Sequence, residues 1–213
     1  RAFREKPDAR TAADYIAATN PSKRGQLLAG TKKPTSLEGF LFPATYPVDP
    51  QKPVRDLVDY QLSTFEQRTA GVNYAAARRK NLTKYDVLIL ASIIEREAST
   101  PRDRRLIAGV FYNRLRLRMR LDSDVTVHYA LGSWSKELTK ADLNLDSPYN
   151  TYVARGLPPG PICSPGEASL RAVAAPDSTP AKYFVRNDVK NDGSHVFATT
   201  LAEHEANRVK YQR

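Results

Sequence analysis

Apolar and polar positions change period several times along the chain, and each change predicts an element. The longest apolar run lies within LILASIIEREAS, residues 88–99, and turns polar at Glu95. It predicts a buried helix over 84–98. DLVDYQLSTFEQR, 56–68, has a weaker helical period, with Leu57, Tyr60, Gln61, Thr64 and Phe65 on one face. A short helical pattern spans Thr11 to Ala18 and ends at Asn20 and Pro21. Further helices are expected at about 102–115, 139–143, 165–175 and 200–211. Their starts are written locally: Thr83 with Asp86, Thr139 with Asp142, Ser164 with Glu167 and Thr200 with Glu203 have capping-box spacing. Thr100 precedes Pro101 at a first helical position and Asp103 in the first turn.

Period two appears in fewer places. KYFVRN (Lys182 to Asn187) and GSHVFAT (Gly193 to Thr199) predict a hairpin turning across 188–192. RLRLRMRLDSD, from Arg114, alternates Arg with Leu or Met and predicts a strand with one basic face. SLEGFLFPATYPV, 36–48, reads as an ordered loop or short strand, and 144–163 as a loop rich in Pro, Gly and Tyr. The fold class is α+β, a mixed domain closed by a C-terminal β-hairpin and helix.

The 213 residues, 41% hydrophobic, suffice for one sizeable core, and 26% charged residues fit an ordinary folded domain. The net charge of +10 points to an anionic partner. A single cysteine, Cys163, excludes an intramolecular disulfide. His128, His195 and His204 have no helical metal spacing, and no Cys/His cluster has zinc spacing, so no metal is expected. No run of some 18 apolar residues exists, and no signal peptide is present. The sequence begins at Arg1 without Met and reads as a fragment, whose missing part would hold any anchor.

Three features carry candidate chemistry. On a helix, Glu97 follows Ile94 by three and Leu90 by seven, while Glu95 follows Ala91 by four and Leu88 by seven. Either acid can project at the edge of the buried stripe. Desolvation there raises a carboxyl's pKa and suits it to donate a proton near neutrality. The bland alternative is a helix end leaving the core, although the helix dipole disfavours acids there by about 0.3–1 kcal/mol. The basic stretch Arg114–Arg120 is either a solvated face or the wall of an anion-binding groove. Tyr149, Asn150 and Tyr152 sit in a proline-stiffened loop that suits sugar binding, or simply form a turn before the next helix.

These stretches resemble one family. ASIIEREAS, GVFYNRLRLRMRLDSDVTVHYALG, SPYNTYVARGLPPGPICSPGEASLRAVAAP and YFVRNDVKNDGSHVFATTLAEHEANRVKYQ occur in the order of the YceG-like endolytic murein transglycosylases, with LEGFLFPATYPV before them. The resemblance covers about 36–213 and implies a catalytic domain there. It leaves 1–35 as the remnant of a LysM-like subdomain or a linker. It implies a bacterial wall enzyme anchored by an N-terminal transmembrane helix, with its catalytic domain outside the cytoplasmic membrane. Such an enzyme cuts nascent glycan strands internally, works beside wall-synthesis enzymes, and needs no cofactor.

SIIEREAS is also similar to the wider lytic transglycosylase pattern in which Glu97 stands at the catalytic acid, with Ala98 departing from the usual Ser. Glu95 is the runner-up. In LDSDVT the departures are Asp122 and Val125, while Asp124 and Thr126 keep the family pattern. Tyr149, Asn150, Tyr152, Arg114, Asp124 and Thr126 are the expected substrate-binding residues. Two acids two positions apart on a helix diverge, so a single-acid mechanism fits better than a flanking pair. The rival readings are a non-catalytic glycan-binding scaffold and a basic nucleic-acid-binding domain. An acid kept in an apolar helix argues against the first. The absence of RRM, KH, zinc-finger or helix-turn-helix signatures argues against the second.

Overall fold

The computed structural model describes residues 12–20, 36–49 and 51–212. Its helices are α1 (Ala12–Ala18), α2 (Val54–Thr69), α3 (Ala75–Arg78), α4 (Lys84–Glu97), α5 (Pro101–Arg116), α6 (Asp124–Leu131), α7 (Glu167–Ala174) and α8 (Leu201–Tyr211). A 3-10 turn covers Asp142–Asn144, and two strands, β1 (Tyr183–Arg186) and β2 (His195–Ala198), form an antiparallel hairpin. Most of the expected 1–35 remnant, residues 1–11 and 21–35, lies outside the described residues. The part that is described, α1, is tied to α2 by Tyr15 Oη donating to Gln61 Oε1 at 2.7 Å.

α4 is the spine. Val87 through Ile94 are all buried. It packs against α5, α6 and α7, and the core cluster extends to Leu37, Phe40, Val58 and Leu62. Thr83 starts α4 with a full capping box: its hydroxyl accepts from Asp86 N, and Asp86 accepts from Thr83 N at 2.7 Å. Thr200 and Glu203 do the same for α8. Thr139 and Asp142 exchange the same bonds, but only the 3-10 turn follows.

Four expectations need correction. Ser164 does not cap α7; Gly166 holds that position without a side-chain bond of its own. The buried face of α2 is Val58 and Leu62, not the stripe centred on Tyr60, which is half exposed. The expected helices do not include α3 or α6. α6 lacks a capping bond at Ser123, so its local start signal is weak. Finally, Arg114–Arg120 is not a strand. α5 runs on to Arg116, Arg118 and Asp122 turn in the left-handed region at φ 55° and 47°, and residues 117–123 form neither helix nor strand. A strand would put Leu117 and Leu121 on one face, yet Leu121 is buried and Leu117 is exposed. Arg114, near the end of α5, turns its guanidinium onto the carbonyls of Arg120 and Leu121.

The hairpin pairs Tyr183 with Ala198 and Arg186 with His195. It docks on α5 through Phe184, edge-on to Phe111 with centroids 5.8 Å apart. Asn113 Nδ2 donates to Thr179 O and Ala181 O at 2.8 and 2.9 Å. Asp103, buried at the start of α5, accepts from His195 N at 2.7 Å and pairs with its Nδ1 at 3.0 Å. α8 then packs back on both strands. The result is a second wall facing the C-terminal end of α4.

Candidate active site

Glu97 is the last residue of α4, and Ala98 beyond it is extended. Its half-buried side chain lies on a cleft of about 710 Å³. Arg114, Asp122, Asp124 and Tyr152 line the same cleft from α5, the start of α6 and the loop after it. Tyr183, Arg186, His204 and Arg208 line it from the hairpin and α8. Ser123 Oγ donates to Glu97 Oε1 at 2.5 Å. Burial pushes the Glu97 carboxyl up to about 7, against the lowering effect of the Ser123 bond; Asp124 raises it further and Arg114 lowers it.

Glu95 has a different fate. Its Oε2 accepts from Gly166 N at 3.2 Å and from Ser169 Oγ at 2.6 Å. It thus supplies the N-terminal cap that α7 lacks, where the helix dipole favours an anion. The two acids diverge as their spacing requires. One is engaged in holding two helices together; the other faces a cleft.

The other candidates separate in the same way. Tyr152 faces the cleft, and its hydroxyl donates to Asp124 Oδ1 at 2.6 Å. Burial first, then Asp124, raise that phenol's pKa, so it stays a donor. Arg114 is 7% exposed and is consumed by Lys182 O at 2.6 Å, Leu121 O at 2.8 Å and Asp122 Oδ2 at 3.0 Å. It braces the cleft between α5 and the hairpin, with its guanidinium 5.0 Å from the Tyr183 ring.

Asn150 and Thr126 are fully buried, which corrects the expectation that they touch a ligand. Asn150 Nδ2 donates to Leu143 O and Leu145 O, and its Oδ1 accepts from Tyr152 N at 3.0 Å, so it orients Tyr152. Thr126 bonds Ser123 O and Thr151. Tyr149 is absent from the cleft wall and packs on Tyr129 with ring centroids 4.8 Å apart.

Sequence reasoning missed Ser123 and the whole second wall. Ser123 stands inside the quoted LDSDVT, but its partner is 26 residues away and no period connects them. The sequence predicts the hairpin and α8 as elements, while their position opposite Glu97 has no local signature.

The YceG-like family pattern matches residues 2–210. This chain belongs to the YceG-like family. An endolytic murein transglycosylase of Bacillus subtilis is 42% identical over 177 residues, 82% of this chain and 48% of that protein. One from Streptococcus pneumoniae is 37% identical over 176 residues, 80% of this chain and 31% of the relative. The YceG-like chain therefore spans about half or less of the length of these relatives. A crystal structure of a YceG-like protein from Listeria monocytogenes superposes with a TM-score of 0.78 at 33% identity, covering 92% of this chain and 67% of that one. Among the described residues, no helix is long and apolar enough to cross a membrane.

Proposed function

We propose that this chain is the catalytic region of an endolytic lytic transglycosylase acting on peptidoglycan, with Glu97 as its single acid and base. One observation carries the reading. A carboxyl at the end of a buried helix faces a large cleft with its pKa raised to about 7, while its neighbour Glu95 is engaged elsewhere. Kinship with relatives named endolytic murein transglycosylases supports the choice of substrate.

The reaction balances without water. Protonated Glu97 gives its proton to the oxygen of the β-1,4 bond between N-acetylmuramic acid and N-acetylglucosamine. The bond from muramoyl C1 to that oxygen breaks, and its electron pair leaves with the oxygen. The substrate's own 2-acetamido group is the nearest nucleophile to the charge at C1. Glu97, now a carboxylate, takes the proton of the C6 hydroxyl, and O6 closes on C1. The products are a free 4-hydroxyl on N-acetylglucosamine and a 1,6-anhydromuramoyl end, with Glu97 protonated again. Tyr152, held by Asp124 and Asn150, presents a hydroxyl to the sugars beside the acid. Arg114 keeps the two walls in register.

The substrate lies outside the cytoplasmic membrane, so the proposal places the domain at that membrane's outer face. Anchoring by a helix of the full-length protein, a LysM-like element around 1–35 and contact with wall-synthesis enzymes belong to the same proposal. Digestion in water enriched in oxygen-18 tests the chemistry. A lyase yields anhydro ends with no label. Reducing ends carrying one labelled oxygen per cut would make the enzyme a hydrolase, and no cleavage by the folded chain would favour a binding scaffold.

A further inference from the structure

Ser123 stands at the N-cap of α6, where a serine normally accepts a bond from the helix's free N–H groups. Here it makes no capping bond. The side chain is instead turned onto Glu97 Oε1, at 2.5 Å, although Ser123 is only 2% exposed. Its main chain is pinned on both sides. Ser123 N donates to Thr151 Oγ1 at 3.0 Å, and Thr126 Oγ1 donates to Ser123 O at 2.7 Å. The two threonine hydroxyls lie 2.9 Å apart, and both residues are buried. A capping serine diverted from its own helix and locked by two buried threonines is a local rule broken for a purpose at the acid.

We infer that Ser123 is a positioning residue: it fixes which oxygen of Glu97 carries the reacting proton and holds the carboxylate that proton transfer leaves behind. The inference rests on the reading of Glu97 as the acid. A serine hydroxyl has one proton. Donated to Oε1, it makes Oε1 the acceptor and confines the acid proton to Oε2. When that proton moves to the leaving oxygen, the Ser123 bond becomes charge-assisted and strengthens. The same geometry keeps Oε2 free to take the C6 hydroxyl proton in the second step. Thr126 and Thr151 therefore act at one remove, by holding Ser123.

Steady-state kinetics on purified glycan strands from pH 5 to pH 9 test this, with wild type, Ser123→Ala and Ser123→Thr. Loss of a hydrogen bond to a carboxylate predicts a kcat lower by roughly 10- to 100-fold in Ser123→Ala, with KM little changed. The alkaline limb of kcat/KM moves up by roughly one to two pH units, because the ionised form has lost its donor. Ser123→Thr restores both.

The other titratable and charged groups that line the cleft with Glu97 are left unaltered by these substitutions. They are Arg96, Arg114, Asp122, Asp124 and Tyr152 on its own side. Across the cleft they are Tyr183, Arg186 and His195 of the hairpin and His204, Glu205 and Arg208 of α8. A moved limb therefore reports Ser123. An unmoved limb with kcat lowered only in proportion to folded protein would overturn the inference and leave a structural serine. If Ser123→Ala does not fold, Ser123→Cys, which keeps the size and weakens the donor, takes its place under the same criteria. Glu97→Gln is assayed alongside. If it retains activity, the reading of Glu97 fails; if it is inactive while the Ser123→Ala limb stays put, only this inference fails.

Discussion

Glu95 and Glu97 are the same residue type two positions apart, and the helix turns them about 200° from each other. That divergence is legible from spacing alone. Which acid meets the cleft is not, because Glu95 is claimed by Gly166 and Ser169, more than 70 residues on. The difference predicts opposite variant behaviour. Glu95→Ala removes the α7 cap and is expected to lower stability by about 1–3 kcal/mol with kcat per folded molecule unchanged; denaturant unfolding beside kinetics checks both.

Glu97→Gln is expected to do the reverse. Its folded pKa of about 7 lies above the usual carboxylate value, so the folded state binds more protons than the unfolded one between those values. Native stability from this group is full below the unfolded pKa and is lost as pH rises through about 7. The neutral amide escapes that loss. Glu97→Gln should therefore unfold at a higher temperature than wild type at pH 8, with the gap closing toward pH 5. A gap that widens toward acid would contradict the assignment.

At the level of elements, the legible parts were those with local causes. Thr83 and Thr200 mark helix starts by reciprocal bonds within four residues, so spacing alone finds them. Thr83→Ala should cost about 1 kcal/mol in thermal or denaturant unfolding. The Arg114–Arg120 stretch misled because two-residue alternation also fits the last turn of a helix followed by a tight turn. In the helix Arg114 reaches Lys182 O, a contact 68 residues away that the local pattern does not show. The docking of α5 on the segment before the hairpin was equally hidden. Gly109 permits it: a Cβ there would meet Asp177 O at 2.4 Å and Thr179 Cγ2 at 2.8 Å. Gly109→Ala should destabilise by about 1–3 kcal/mol, since backbone has no room to yield, and should loosen the second wall of the cleft. Unfolding and KM measured together would show it.

For the molecule as a whole, the order of the motifs was readable and the cleft was not. Its floor comes from α4, one wall from the segments around α6, and the other from the last 30 or so residues. No periodic pattern announces that such distant pieces face each other. The net charge of +10 belongs to this scale as well. It predicts that kcat/KM on strands carrying charged peptide stems falls as salt rises, and that reversing Arg116 and Arg118 flattens the dependence. Arg114 is spent on structure, so these exposed neighbours are the ones to change.

The most direct measurement is a digest of uncrosslinked glycan strands by this chain, with Glu97→Gln and Glu95→Gln beside it, read by mass spectrometry. The account predicts 1,6-anhydromuramoyl ends from wild type and from Glu95→Gln, and none from Glu97→Gln. Anhydro ends that persist in Glu97→Gln and vanish in Glu95→Gln would contradict it.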